Sequence, residues 1–536
     1  MRFLLIDGYV DEPTALGVPP YISPYVRYVA GAILSVGEHI LFYRTIDQLR
    51  DTENWPEADV VVLISGNPVP GKYLGGAPIT NEEVKLIALH YKKNHVLWGG
   101  PQSLEKQTML PSNVQVIAGD IEAYIADIAR GISPRMRKRT EEEGDLFSRM
   151  GAEVVLHHPW FPDVVIELET GRGCPRRFHC SFCLEGLHPV EFRSVNSIVS
   201  EVKALFDLGC RHFRLGKQAD ILSFHPDTSV ERDGFYRPVP ERIKALYEGI
   251  REVAPNIKTL HLDNMNPGTI ARFPEESARI LETIVQYNTP GDVAAFGMES
   301  ADPEVVRKNQ LKATPEQVMM ALEMVNEIGG KRTEGIPHLL PGINLIHGLP
   351  GETRQTFRLN YDFLLAVLDK GLLLRRINIR QLKKTPGTSL SRMEVRMDVK
   401  TEAAFRRYRE RIRCEIDIPM LEKVFPVGTL FRDVIVDGTR GEWSLARPLG
   451  SYPITINIPR KYPLRTHRDV FVIGYRERSV VGLSYPFSPE KLTYHEIQHI
   501  PGLAKKAGLL FSQEKLSLCD FSESPLYEVL EKMSGQ

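Results

Sequence analysis

The sequence predicts an α/β multidomain protein, and three observations predict it. Short apolar runs alternate with amphipathic helical patterns over residues 1–130. A second alternation of the same kind starts at Val164 and runs to about residue 390. Beyond residue 420 the pattern turns to short strands punctuated by Gly and Pro. Regular alternation of strand and helix signals implies parallel sheets with helical crossovers, whereas short strands with tight turns imply an all-β unit. At 536 residues the chain is also too long for one ordinary domain.

In the first region the candidate strands are Phe3–Ile6, His39–Tyr43, Val60–Ile64, Val96–Trp98 and Val114–Ile117. Helical patterns cover Glu82–Tyr91 and Ile121–Ile132, which gives a doubly wound, Rossmann-like sheet over residues 1–132. The block Arg135-Met136-Arg137-Lys138-Arg139-Thr140-Glu141-Glu142-Glu143 sets plus before minus and predicts a solvated linker over 133–155.

The second series has strands at Val164–Glu169, His212–Leu215, Thr259–Asp263, Ala294–Met298, Gly342–His347 and Arg376–Arg380. Helices over Val195–Leu208, Pro240–Val253, Ser277–Tyr287, Pro315–Ile328 and Arg354–Leu368 separate them. Six βα repeats suit a partial TIM-type (β/α)6 barrel over 156–400, with its site at the strands' C-terminal ends. A charged helix around Ala403–Glu415 connects it, over 401–420, to the all-β unit. Strands at Leu430–Asp437, Ile454–Ile458, Val470–Gly474 and Ser479–Tyr485 predict a small OB-type barrel over 421–488, followed by a helical tail over 489–536.

With 42% hydrophobic and 25% charged residues the composition is that of a globular protein, which excludes a disordered or fibrous chain. A net charge of −1 gives no global attraction to nucleic acid or membrane. No apolar stretch approaches the ~20 residues of a membrane span, and Asp7 interrupts the apolar N-terminal run, so a cytoplasmic protein without a membrane partner is expected. Of the 6 cysteines, Cys174, Cys180 and Cys183 crowd into ten residues. In a reducing compartment such clustering points to a metal or to catalysis rather than to cross-linking.

These three lie in Gly171-Arg172-Gly173-Cys174-Pro175-Arg176-Arg177-Phe178-His179-Cys180-Ser181-Phe182-Cys183, directly after the first strand of the second series. Soft thiolates suit an iron–sulfur cubane, which normally takes four of them. Three leave one iron without a protein ligand. The residues equally suit a zinc site of three Cys plus His179 or another histidine.

This segment resembles the radical SAM superfamily, in which the open iron is chelated by S-adenosylmethionine. The resemblance implies a [4Fe–4S] cluster on Cys174, Cys180 and Cys183, with Phe182 beside the adenine. It implies an enzyme that cleaves the cofactor to a 5′-deoxyadenosyl radical. The family's commonest spacing is three residues, then two; here the first gap is five, which leaves the local path of the loop open.

Further segments agree with that resemblance. Gly216-Lys217-Gln218-Ala219-Asp220 stands where the family carries a turn for the methionine amine, with Gly216 and Gln218, or Asp220, in that role. Gly297-Met298-Glu299-Ser300 followed by Val305-Val306-Arg307-Lys308-Asn309 is similar to the strand end and basic helix start of methylthiotransferase-like members. There Glu299 or Ser300 would meet the ribose, and Arg307 or Lys308 the cofactor's carboxylate. Ile346-His347-Gly348-Leu349-Pro350-Gly351-Glu352-Thr353 resembles the fifth-strand motif, with Ile346 against adenine and Gly348 admitting the nucleoside. Lys384-Thr385-Pro386-Gly387-Thr388 matches the family's Pro-Gly-Thr turn.

The flanks leave the substrate open. The N-terminal sheet stands where one radical SAM group binds cobalamin, and the loops Gly17–Tyr25 and Gly66–Gly71 lie at strand ends, where such folds take ligands. No Asp-x-His-x-x-Gly is present to supply a lower histidine, and no cysteine precedes Cys174 for a second cluster. Cys210, Cys414 and Cys519 stand singly and read as buried thiols. Residues 401–480 hold 15 Lys and Arg against 10 Asp and Glu, a net +5. Arg432, Arg440, Arg447, Arg460 and Lys461 with Trp443 and Tyr452 suit phosphates and stacked bases on a TRAM-like barrel. Ile500-Pro501-Gly502-Leu503-Ala504-Lys505-Lys506-Ala507 resembles a helix-hairpin-helix turn.

The reading expected first is therefore a radical SAM enzyme modifying RNA, specifically tRNA, with ferredoxin or flavodoxin as electron donor. A cobalamin-dependent methyltransferase acting on a small molecule or lipid precursor is the second. A zinc-stabilised RNA-binding protein without catalysis is the third.

Overall fold

A computed structural model describes residues 1–10, 20–66, 75–104, 110–382, 384, 387–393, 399–512, 517–522, 524, 526–527 and 531. The loop residues 17–19 and 67–71, and Thr385 and Pro386 of the Pro-Gly-Thr turn, fall outside that set. The chain divides into two compact units: residues 1–172, 190–218 and 241–263 form one, and 173–189, 219–240 and 264–536 the other.

The first unit contains a five-stranded parallel sheet. In chain order its strands are β1 (Arg2–Asp7), β3 (Ile40–Thr45), β4 (Val60–Ile64), β5 (His95–Gly99) and β6 (Val114–Val116). In space they run β3-β1-β4-β5-β6, all parallel. Every residue of β4, Val-Val-Val-Leu-Ile, is buried, the pattern of a strand covered on both faces. Strand order reverses between β1 and β4, the switch point where such sheets open a crevice. Part of the loop expected to lie open there is structured instead. Tyr21–Ile22 is a short strand, β2, that pairs with β7 (Val165–Glu169), and Pro24–Leu34 is helix α1.

The block at 133–155 is a solvated linker only in part: residues 133–140 lack regular structure and are mostly exposed, and a helix follows. Thr140 caps the Glu141–Met150 helix through a capping box with Glu143, and Phe147 is fully buried. Arg139 is buried in ion pairs with Glu122 and Glu169, and Arg172 joins Asp120, Glu122 and Glu169. A run of plus before minus predicts a solvated face, and Arg135, Lys138, Glu141 and Glu142 are exposed, but Arg139 meets buried carboxylates from elsewhere in the fold.

The six strands of the second series fall into two parallel sheets. One, in the first unit, has the order Thr259–Leu262, His212–Gly216, β7, β2. The other, in the second unit, has the order Asn264–Met265, Asp292–Glu299, Leu339–His347, Arg376–Gln381. The intervening helices match expectation within a few residues, and Thr314 and Thr353 cap the Pro315–Gly329 and Arg354–Asp369 helices.

Residues 430–485 close into a five-stranded barrel, with Trp443–Arg447 as a strand that the sequence pattern does not predict. Its order is first-second-third-fifth-fourth, closing on the first, and only the third and fifth strands are parallel. The tail covers it. Ile497, Ile500, Leu503 and Ala507 share a core with Phe471, Ile473 and Leu483 of the barrel. In the segment likened to a helix-hairpin-helix, Gly502 takes φ +85° between two short helices, and Ser524 Oγ donates to the Pro501 carbonyl at 2.7 Å. No helix among the described residues is long and apolar enough to cross a membrane.

Candidate functional site

The three clustered cysteines lie in the second unit, on a loop held by backbone and side-chain bonds rather than by regular structure. Glu185 fastens its start: the Gly173 amide donates to Oε2 at 3.1 Å and the Cys174 amide to the Glu185 carbonyl at 3.1 Å. Gly173 has φ +76°, and a Cβ there would stand within 2.8 Å of the Pro189 and His188 carbonyls, so only glycine fits the turn. The Cys183 amide donates to the Cys180 carbonyl at 3.1 Å, drawing the last two thiols into one tight turn.

Between those thiols, Ser181 anchors the loop to a helix end at Asn309 and to the turn at Ser389–Leu390. Its amide and hydroxyl donate to the Asn309 carbonyl and Oδ1, at 3.0 and 2.7 Å. Its own carbonyl accepts from the Leu390 amide at 2.9 Å and the Ser389 hydroxyl at 3.0 Å. Asn309, fully buried, carries the connection onward by donating to the Pro350 carbonyl at 2.9 Å. Three motifs distant in sequence therefore meet through one serine and one asparagine. The sequence marked Asn309 only as part of a basic stretch.

Cys180 and Phe182 pack with Val305, Leu311, Ile346 and Leu349 in one apolar cluster. Gly348 takes φ +97° after the strand, and its amide donates to Glu352 Oε2 at 3.0 Å. His347, on the opposite face of the strand, stacks on Phe357 at 4.8 Å.

Glu299 ends its strand at φ +67°, beside a break in register, and is buried with Oε2 unpartnered. Burial pushes its carboxyl up to about 7, against the pull of Lys312 and Arg380. Strain together with an unsatisfied buried acid is the signature of a site rather than of a scaffold. Ser300 differs: its hydroxyl reaches Asn360 Oδ1 and accepts the Asp302 amide, so it serves the turn.

Arg307 and Lys308 are exposed and bound to Glu304 one turn away. Lys312 instead is mostly buried and lies near Glu299. Burial works against its charge, but Cys180, Glu299 and Cys183 outweigh that and raise its pKa. Gly297 makes the space, since a Cβ there would collide with the Lys312 ammonium and the Glu299 carboxylate. Its missing side chain was the one sequence signal for this pair.

The thiols suit an iron–sulfur core. Burial raises Cys174 and pushes Cys183 up to about 12, so water alone leaves them protonated, whereas a cationic metal core deprotonates its ligands. Among the described residues no three His, Cys, Asp or Glu converge as a single ion would require. The His179 ring is engaged with the Cys174 carbonyl at 3.3 Å.

Gly216 and Gln218 belong to the first unit. A Cβ on Gly216 would overlap the Glu167 carboxylate, and its carbonyl accepts from the Thr170 amide and hydroxyl. Gln218 accepts from Thr170 Oγ1 and donates to the Leu215 carbonyl. Asp220, in the second unit, is occupied by Leu222, Ser223, Asn266 and Thr269. The Gly216 carbonyl and the Gln218 and Asp220 side chains are thus engaged by neighbours within their own units.

Several expectations for the flanks change. Arg447 is buried on Asp437, Arg432 is bound to Glu334 and Asp469, Arg460 to Glu496 and Lys461 to Glu442. Tyr452 is buried against Val293 and Ala295, out of reach of a base. Cys210 is buried, but Cys414 and Cys519 are exposed.

A model of the radical SAM superfamily matches residues 168–364. The chain is 44% identical over 513 residues to an uncharacterized protein of Archaeoglobus fulgidus, covering 94% of this chain and 93% of the relative. It is 40% identical over 509 residues to an uncharacterized protein of Methanocaldococcus jannaschii, covering 90% and 93%. Ribosomal protein uS12 methylthiotransferase RimO of Pasteurella multocida is 23% identical over 298 residues, covering 53% and 59%. Among solved structures, the radical S-adenosylmethionine methyltransferase TsrM from Kitasatospora setae, with cobalamin and a [4Fe–4S] cluster bound, aligns with a TM-score of 0.49 at 15% identity, covering 73% of each chain.

Proposed function

Because the chain belongs to the radical SAM superfamily, whose enzymes use a [4Fe–4S] cluster and S-adenosylmethionine, we propose that Cys174, Cys180 and Cys183 hold that cluster and that the chain modifies RNA. The observation that carries the first part is the packing of Cys180, Phe182 and Ile346 in one apolar cluster, in the unit that also holds the buried Glu299 with Oε2 unpartnered. When bound, the cluster supplies the electron that cleaves the cofactor to methionine and a 5′-deoxyadenosyl radical.

The chain's own residues bind and orient. Phe182 and Ile346 offer an apolar surface for adenine, and Gly348 leaves room for the nucleoside. Lys312, in place of Arg307 or Lys308, supplies the inward-facing cation that a carboxylate needs. Glu299 supplies an acceptor for hydroxyl or ammonium donors. Anaerobic reconstitution tests this part: iron and sulfide should bind, and the cluster's spectrum should change when S-adenosylmethionine is added. Iron-free protein, or an unchanged spectrum, refutes it.

RNA as the substrate rests on a smaller patch than the sequence suggested. Half-buried Trp443 carries the Arg476 guanidinium 4.0 Å over its ring, and Arg440 is exposed with no ion pair among the described residues. Aromatic and guanidinium planes of this kind stack with bases. Retention of tRNA by the full chain should fall as salt rises, and Trp443→Ala should weaken it. Salt-insensitive or absent binding removes the RNA reading.

Cobalamin remains a second reading because of one feature of the N-terminal sheet. Gly100 takes φ +94° after β5, where a Cβ would overlap the Ser65 carbonyl at the end of β4, so two strand ends close to the switch point meet as bare backbone. A corrinoid absorbance in anaerobically purified protein tests it.

A further inference from the structure

The longer first gap of the cysteine loop has a structural counterpart. Residues 227–237 form an antiparallel hairpin, Asp227–Arg232 with Phe235–Arg237, in the same unit as the loop. The Arg177 amide donates to the Gly234 carbonyl at 2.9 Å, and the Arg177 guanidinium stands 3.6 Å from Glu231. Gly234 takes φ +78°, and a Cβ there would come within 2.8 Å of the Phe178 ring. The inserted part of the loop is thus docked on the hairpin tip.

Docking delivers Arg176 to the cysteines. Its guanidinium lies 4.9 Å over the Phe235 ring, and Phe235 is pressed from elsewhere by Arg272 at 4.3 Å. Nη1 donates to Cys180 Sγ at 3.4 Å and Nη2 to the Gln310 carbonyl at 3.3 Å. Arg176 is only 9% exposed, Nε has no partner, and no carboxylate pairs with it among the described residues. A buried guanidinium without a counter-ion is unfavourable unless an anion meets it. Three thiolates around an iron–sulfur core make a net anion, and each electron added makes it more negative.

We propose that Arg176 is a positioning residue that sets the reduction potential of the cluster, and that the 227–237 hairpin holds it on Cys180 through Phe235. This rests on the assignment of the cluster to the three cysteines. A charge-assisted N–H donor on a ligand sulfur and a fixed positive charge beside it both favour the reduced state. The step concerned is the transfer of one electron from a low-potential protein or chemical donor to the oxidised cluster, with no other bond made or broken.

The test is a redox titration, followed by electron paramagnetic resonance, of the anaerobically reconstituted full chain. Wild type, Arg176→Gln, Arg176→Lys and Phe235→Leu are compared, with iron and sulfide measured for each. Arg176→Gln should keep its iron yet show a roughly tenfold smaller ratio of reduced to oxidised cluster at the wild-type midpoint. For one electron that ratio corresponds to about 59 mV. Arg176→Lys should shift less, and Phe235→Leu in the same direction with normal iron content. Iron-loaded variants that all titrate at the wild-type midpoint overturn the proposal. If Arg176→Gln fails to hold iron, an unshifted midpoint in the other two overturns it alone. Wild-type protein that binds no cubane refutes the cluster assignment itself.

Discussion

Both units bury charge, and the arginine network of the first differs from the cysteine site of the second. In that network, buried charges pair with one another. Arg27 pairs with Glu201 and reaches the Glu167 carbonyl, Arg193 joins Glu201 and Tyr28, and Arg214 pairs with Glu167 and Asp263. Glu169 is held at about 2, its burial outweighed by Arg139, Arg172 and Arg193. In the second unit, Arg176 and Glu299 are buried, and Lys312 mostly so, without an ion pair among the described residues. Charges neutralised in place belong to the scaffold. Charges left unneutralised around soft thiols mark where something else is meant to sit.

The strongest way to break this comparison is Cys180→Ala. It should lower bound iron from about four per chain to near none and abolish cofactor cleavage, with little change in the first unit. Normal iron content would mean that the charges of the second unit await a different ligand. Glu201→Ala should act in the reverse sense: it leaves Arg27 buried and unpaired, at a cost of about 3–5 kcal/mol in chemical denaturation, while cluster potential stays the same. Lys312→Met should change stability less than that but weaken S-adenosylmethionine binding about tenfold to a hundredfold, read by spectral titration of the cluster. Equal loss of stability in the two variants would erase the distinction between scaffold and site.

A finer probe is pH. Burial raises the Asp7 carboxyl to about 7, although it accepts bonds from the Tyr9 amide and the Tyr43 hydroxyl. In the unfolded chain Asp7 ionises near pH 4. Its contribution to stability is therefore complete below pH 4 and is lost as pH climbs to about 7. Asp7→Asn should raise the thermal midpoint at pH 8 and converge with wild type at pH 4; parallel curves would refute it. The smallest effect is expected for Arg307→Ala. Because that residue is exposed on Glu304, cofactor affinity should not change, and a clear loss would return the carboxylate-binding role from Lys312 to Arg307.

Much of this was legible in the residues. The βα alternation predicted the strands of the main parallel sheets and the longer helices between them from Val195 to Asp369, because covered parallel strands need apolar runs and crossovers need amphipathic periods. It did not predict α1 or the Glu141–Met150 helix. Trp443–Arg447 was missed because Trp-Ser-Leu-Ala-Arg shows no clean alternation, and its pairing is supplied by neighbours on both sides. Arg447 and Tyr452 resembled a nucleic-acid surface, yet Asp437 and the Val293–Ala295 strand claim them. A lone charge or aromatic in a sequence does not carry the identity of its partner.

By itself the sequence determined the chemistry: three thiolates at close spacing, one aromatic beside them, glycines where side chains cannot stand, and the order of the strand-end motifs. Those depend on local geometry and on what sulfur can bind. Tertiary structure alone decided which charges are paired within the scaffold and which stand without an ion pair among the described residues. It drew Lys312 inward while leaving Arg307 in water, and it gave Arg176 a sulfur and an aromatic ring instead of a carboxylate. Electrostatic partnership is a matter of distance and burial in three dimensions, and neither is written in the order of the residues.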